Sequence, residues 1–580
     1  MAGVNAASLE VMRNSLFSVA EEMGAVLVRA AYSTNIKDRR DCSCAIYTSR
    51  GELTAQAEHI PLHLGIMPSA VRGLLSYCED HSIGMELGDV FLFNDPFITG
   101  SHTWDLMVTT PVFHGGEVQA IVGNLAHHAD IGEHKGHVAT EALDEGIRIS
   151  PVKIMKGGVL DEEILSLVRS NVRIEEVGRD LLAQIGANAR GAERLQELIG
   201  RHRADGLRKY MDALIDYSEQ RLRVAISRLP QRRASFEDYI EGDGVTDDLV
   251  KIGVTVSVEG SEILISFAGT DPMVTGPINS PLPVTMACAG YCVKSLVDPD
   301  APSNEGIYRP IRVEAPEGSL VNAIYPAAVA YANSVTCMRL VDTILGAFAE
   351  ILPDRVCAAS TGTMNALNIK GVDPRTGRFY GYIETYAGGW GAMRGMDGLD
   401  ATHTHMTNTR NAPVEAIEIA YPLRVHRYGI VVDSEGPGER RGGVGITREI
   451  EAVDHTATLG GRGDRVKIKP WGLEGGKEAS GSRYYKKLRD GENVPLPSKF
   501  QGIILKPRER IVIETAGGGG WGNPHARDSE LVRRDVVEGV ITLERAREAY
   551  GVAIDPEILE VLQVETRQLR ARGLKNLNSL

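Results

Sequence analysis

Residues 100–130 read GSHTWDLMVTTPVFHGGEVQAIVGNLAHHAD. Two apolar runs, Leu106 to Phe113 and Glu117 to Val122, flank His114-Gly115-Gly116. A glycine pair between runs rich in Val, Ile and Phe signals a β-hairpin. Closing that hairpin draws its open end together, so residues 102–105 come near 125–130. His102 and Asp105 then stand in the turn before the first strand, and His127, His128 and Asp130 follow the second. Imidazole and carboxylate together suit a borderline or hard divalent cation. Two His and one or two carboxylates also leave a coordination position for water, which a catalytic centre needs.

The neighbourhood of this hairpin is rich in the same chemistry. Nine of the fifteen histidines lie between His59 and His137, with Asp95, Asp105 and Asp130 among them. The joint set His102, Asp105 and His127 is the candidate metal centre. Adjacent residues of a strand face opposite sides, so one of His127 and His128 is structural. His114, His134 and His137 read as surface loop residues. Asp41 ends the charged run Lys37-Asp-Arg-Arg-Asp41 and precedes an apolar strand. It reads either as part of a solvated turn or as a carboxylate presented from a strand end.

Further out, strand runs and helix runs are segregated, which predicts an α+β fold with mixed and antiparallel sheets. It carries a long helical insertion and a helical C-terminal tail. The spacing predicts helices over 8–32 and over Met67 to Cys78, with Pro68 in the first turn. Residues 161–230 predict two or three long helices, broken near Gly186–Gly191 and Gly200–Gly206. Strands follow at Leu249 to Val258 and Glu262 to Phe267, then a helix over about 332–352. The tail predicts helices at Leu543 to Ala549 and Pro556 to Leu569. The expected regions are 1–160 (the candidate metal site), 161–230 (helical), 231–377 (α+β), 378–526 (strands and Gly-rich loops) and 527–580 (helical tail).

The 580 residues are 43% hydrophobic and 24% charged, ordinary globular usage that excludes general disorder. The formal charge of −14 argues against nucleic acid and anionic membranes as partners. No long apolar stretch or signal-peptide pattern occurs, and seven scattered cysteines suit a reducing compartment. A cytoplasmic enzyme is the expectation. The Gly-rich stretches Ser434 to Gly445 and Thr515 to Pro524 would either cradle an anion or pack backbone closely. Gly475-Gly476-Lys477 is followed by Glu478, so the phosphate-loop pattern is absent, as is the dinucleotide fingerprint.

Several segments, in this order, resemble the hydantoinase B/oxoprolinase family. They are Asp38-Arg-Arg-Asp-Cys-Ser-Cys-Ala-Ile46, Gln56-Ala-Glu-His-Ile-Pro-Leu-His-Leu-Gly65, Gly88 to Phe97, His102-Thr-Trp-Asp-Leu106, Ala126 to Gly132, Glu145 to Ile149 and the two Gly-rich loops. The resemblance implies a hetero-oligomer in which a metal-holding chain of the B type works with an ATP-binding partner of the A type. It implies ATP-dependent opening of a small cyclic amide: a hydantoin, 5-oxoproline or a lactam. A carboxylase branch acting on ketones such as acetone or acetophenone is the alternative. It implies zinc or manganese held by Asp41, His102, Asp105 and His127. His128 or Asp130 would then act as general base or orient the nucleophile. Trp104 and Glu133-His134-Lys135 depart from the common pattern and bear on substrate fit.

Overall fold

The structure, a computed structural model, describes residues 5–133 and 136–577. The hairpin forms as expected, with longer arms. β1 (Cys42–Thr48), β2 (Leu53–Gln56), β3 (Val90–Phe93), β4 (Asp105–His114), β5 (Glu117–His127), β6 (Val152–Lys156) and β7 (Val159–Leu160) make one sheet. Its order is β2-β1-β5-β4-β3-β6-β7, and every pair is antiparallel. β5 runs five residues past Val122 because Ala126 continues the alternation, opposite Cys42 on one side and Leu106 on the other.

Both faces of this sheet are buried. Ala45, Tyr47, Ile121 and Leu125 enter the main core, while Cys42, Cys44, Ile46, Ala120 and Val122 enter a second one. That second core lies under the helices Ala6–Ala30 and Glu176–His202, through Leu16, Met23, Leu27, Ala187 and Leu195. The helix Pro61–Asp80 covers the other face through Ile66, Met67 and Leu74. It starts six residues before the expected Met67, with Pro61 in its first turn and Pro68 inside it.

The helices Glu162–Asn171, Glu176–His202 and Ala204–Ile226 occupy the expected helical segment. The expected break at Gly186–Gly191 does not occur. Gly191 lies against Met23, and a Cβ there would run into the Met23 sulfur, so the glycine serves a close helix approach. The break falls at Arg203, whose φ of 62° stops the α-helical repeat.

β8 (Arg233–Glu241), β9 (Leu249–Glu259), β10 (Glu262–Ser266) and β11 (Ile311–Glu314) form a mixed sheet, with β10 and β11 parallel. The helix Cys337–Ala349 packs on it through Ile344 and Phe348, preceded by a π-helical turn at Ala332–Thr336. Two further antiparallel sheets share a core of Leu367, Tyr382, Ile450, Leu459 and Ile513. Asn365–Val372 pairs with Phe379–Tyr386, so a division after 377 runs through a hairpin. The fold is α+β.

The Gly-rich loops pack backbone on backbone. Gly443 N–H donates to Trp390 O, Gly518 N–H to Gly443 O and Gly436 N–H to Gly518 O, each at 2.8 Å. Those amides are committed to carbonyls rather than presented to an anion. In the tail, Gln563–Leu577 is helical, but the expected start at Pro556 is not. The Asp555 carboxylate accepts from Glu557 N–H and Ile558 N–H and holds a turn there. No helix among the described residues is long and apolar enough to cross a membrane.

Candidate metal centre

Asp105 and His127 stand opposite each other where β4 begins and β5 ends. His127 N–H donates to Asp41 O at 3.0 Å, so three strand ends meet. Asp41 is delivered by Arg40, whose φ of 55° swings the chain from the short helix Thr34–Lys37 into β1. His102 follows Gly100, which takes φ 75° in a gap where a Cβ would run into Pro283. The fifth member is His63, in the first turn of Pro61–Asp80. All five side chains are buried.

The distances define a cluster around Asp105. His127 Nδ1 is 3.2 Å from Asp105 Oδ1. His102 Nδ1 and His63 Nε2 are each 3.6 Å from Asp105 Oδ2. His63 Nε2 also lies 3.8 Å from Asp41 Oδ1. One ligand atom each from His102, Asp105 and His127 fall within 4.8 Å of one another. The His63 and His102 Nδ1 atoms are buried without hydrogen-bond partners. Three imidazoles and two carboxylates form a donor set that fits a divalent ion of the zinc or manganese kind.

The surroundings hold these groups in place. Ser101 Oγ–H donates to Asp105 Oδ2, and Asn333 Nδ2 donates to the same oxygen at 3.1 Å and to Ser101 Oγ at 2.7 Å. Asn333 comes from the π-helical turn, an irregularity frequent at functional sites. Arg39 Nη2 lies 3.6 Å from Asp41 Oδ2 and donates to Thr385 Oγ1 at 2.7 Å. Burial pushes the His102 imidazole down to about 3, which keeps it neutral and able to ligate. Burial opposes ionisation of Asp105, but the adjoining His102, His63 and His127 outweigh it and hold its carboxyl below the usual range.

His128 and Asp130 are not brought into the cluster. His128 faces the helix Glu176–His202, with Nε2 2.9 Å from Gln184 Oε1. The side chains of His127 and His128 thus point to different surroundings. Asp130 accepts from Gly132 N–H at 3.1 Å and from the Arg173 guanidinium at 3.2 Å. Both residues therefore brace the loop after β5. His114 and His137 are exposed, while His134 lies outside the described residues. All seven cysteines are free thiols.

A cavity of ≈ 30 Å³ adjoins the cluster, lined by Asp41, His63, His127, Asn333 and Arg462. A second of ≈ 40 Å³ lies between Trp104, Glu133, Glu145, Tyr331 and Arg462. It shares Asn368 and Gln501 with an outer cleft of ≈ 400 Å³. A wider cleft of ≈ 570 Å³, near Phe17, Tyr291 and Tyr308, touches none of the five clustered residues.

The sequence profile of hydantoinase B/oxoprolinase matches residues 5–524. The chain is 34% identical, over 97% of each chain, to a protein of Pseudomonas sp. (strain NS671) that is named as the putative B component of a D-/L-hydantoinase. The crystal structure of the ATP-dependent caprolactamase from Pseudomonas jessenii superposes with a TM-score of 0.90 at 27% identity, over 98% of this chain and 100% of that one. Nucleotide-free acetone carboxylase gives the same TM-score at 18% identity, over 98% and 83%, a likeness of fold. The chain belongs to the hydantoinase B/oxoprolinase family.

Proposed function

We propose that this chain is the metal-holding component of an ATP-dependent cyclic amide hydrolase. The observation that carries the reading is the convergence of His63, His102, Asp105 and His127 with Asp41 at one buried sheet end. Likeness to a caprolactamase along the whole chain supports the amide class. The name of the Pseudomonas relative supports a component that works with a partner. The missing phosphate-loop pattern agrees with ATP being bound by an A-type partner.

An amide carbonyl is a poor electrophile. Transfer of the γ-phosphoryl group of ATP to its oxygen in the partner, leaving ADP, would activate the carbon. Water would then add to that carbon in this chain, with phosphate leaving and the ring C–N bond breaking to give a carboxylate and an amine. Asp41, His63, His102, Asp105 and His127 would hold the ion. When bound, such an ion supplies Lewis acidity to a carbonyl or phosphoryl oxygen and to water. Ser101 and Asn333 fix the Asp105 carboxylate, Arg39 fixes Asp41, and the narrow cavity limits bulk water. His128 and Asp130 support the loop that follows His127.

The test is ATP hydrolysis by this chain co-expressed with an A-type partner, with hydantoins, 5-oxoproline, lactams and ketones, each with and without bicarbonate. The proposal expects ATP turnover with a cyclic amide, independent of bicarbonate. Turnover only with a ketone and bicarbonate would move the protein to the carboxylase branch, whose fold it shares.

A further inference from the structure

Arg462 ends the strand Ala457–Arg462, and its backbone pairs with Ala366 and Lys499. Its side chain is buried between two aromatic rings. The guanidinium carbon lies 4.9 Å from the Trp104 centroid and 5.5 Å from the Tyr331 centroid. Among the described residues no hydrogen bond or ion pair engages the guanidinium, and Nε is buried without a partner.

This is unlike every other buried arginine among the described residues. Arg39, Arg339, Arg441, Arg448, Arg465 and Arg527 each meet a carboxylate. A buried charge with no carboxylate in contact is costly, and stacking on two rings offsets only part of the cost. Asp41 and Asp105 favour its charge only from beyond hydrogen-bond reach, and the other nearby carboxylates have partners of their own. Glu133 accepts from Trp104 Nε1–H at 2.7 Å and pairs with Lys370. Glu145 accepts from Val329 N–H at 2.5 Å and Ala330 N–H at 2.6 Å. Asp144 accepts from Thr140 N–H at 3.0 Å. Arg462 alone lines both small cavities, the one at the His/Asp cluster and the one toward the outer cleft.

We propose that Arg462 is a receptor for an oxyanion of the reacting molecule, held by the guanidinium fork near the His/Asp cluster. Two such groups arise in the reaction: the phosphoryl group of the activated amide and the carboxylate freed on ring opening. Both accept paired N–H donors from arginine. Naming these sources rests on the hydrolase reading above; anion binding itself does not.

The test is calorimetric titration of the full chain, dialysed against a chelator, with inorganic phosphate and separately with acetate. It is repeated with Arg462→Gln and Arg462→Lys. Saturable binding of one anion per chain is expected, weakened about tenfold or more by Arg462→Gln and less by Arg462→Lys, which keeps the charge but not the fork. Preference for phosphate assigns the site to the activated amide, and preference for acetate to the product. Arg462→Gln binding as tightly as the wild type overturns the proposal. So does a wild-type chain that binds neither anion, whether or not the variants fold. The titration uses neither metal nor ATP. A chain that binds anions through Arg462 but opens no cyclic amide would sink the hydrolase reading and leave the receptor standing.

Discussion

Asp105 and His127 face each other across adjacent antiparallel strands, 3.2 Å apart from Oδ1 to Nδ1, at the buried end of the main sheet. Register alone places them so, and the remaining members arrive from a helix start and two irregular turns. Asn333 then fixes the other oxygen of Asp105. Removing such a supporting hydrogen bond weakens metal affinity roughly 10- to 100-fold. Asn333→Ala should show that loss in a competitive chelator titration while the far-ultraviolet circular dichroism stays unchanged.

His63 is expected to matter as much as His102. Its Nε2 lies within 3.8 Å of both Asp41 and Asp105 oxygens. His63→Ala and His102→Ala should each lower bound metal and ATP-dependent ring opening by about tenfold or more. Normal metal content in His63→Ala would remove it from the ligand set.

The three-dimensional frame depends on a buried ion network away from the cluster. Arg339 meets Asp238 at 3.1 Å and also pairs with Asp464, while Arg465 meets Asp342 at 2.6 Å. Arg339→Ala removes one partner from each of two buried carboxylates, leaving Asp238 to Arg465 at 3.2 Å and Asp464 to Lys499 at 3.4 Å. Breaking a buried pair costs about 3–5 kcal/mol, so thermal unfolding should shift down by several degrees.

Glu145 supplies a pH dependence. Burial raises its carboxyl to about 8, opposed by hydrogen bonds from Ala330 and Val329 N–H. The folded chain thus keeps a proton that the unfolded chain loses near the ordinary value of 4.5. This contribution to stability is full below that value and is lost as pH rises toward about 8. Glu145→Gln should flatten the melting temperature across that range. An unchanged slope would count against a protonated Glu145.

The hairpin and the His/Asp cluster at its open end were legible because period-two runs and a Gly-Gly turn are local signals, and strand pairing then fixes which ends meet. Asp41 was ambiguous from its own neighbours, since only the pairing of β1 with β5 carries it to His127. His63 stood in a recognised segment but had no local sign of ligation. Its place beside Asp41 and Asp105 depends on a helix start docking against a sheet end. Gly191 misled because a glycine required by Met23 has the same letter as a helix breaker. Arg462 carries no motif at all. What distinguishes it is the lack of a carboxylate partner, a property of distant chain segments.

The most direct measurement is metal content per chain, by elemental analysis of the purified protein, for the wild type and Asp105→Asn. The substitution keeps the size of the side chain and removes the charge at the centre of the cluster. The metal-centre reading predicts about one equivalent of a divalent transition metal in the wild type and its loss in a folded Asp105→Asn chain. Equal metal in both, or a wild-type chain that binds none after incubation with zinc or manganese, would contradict it.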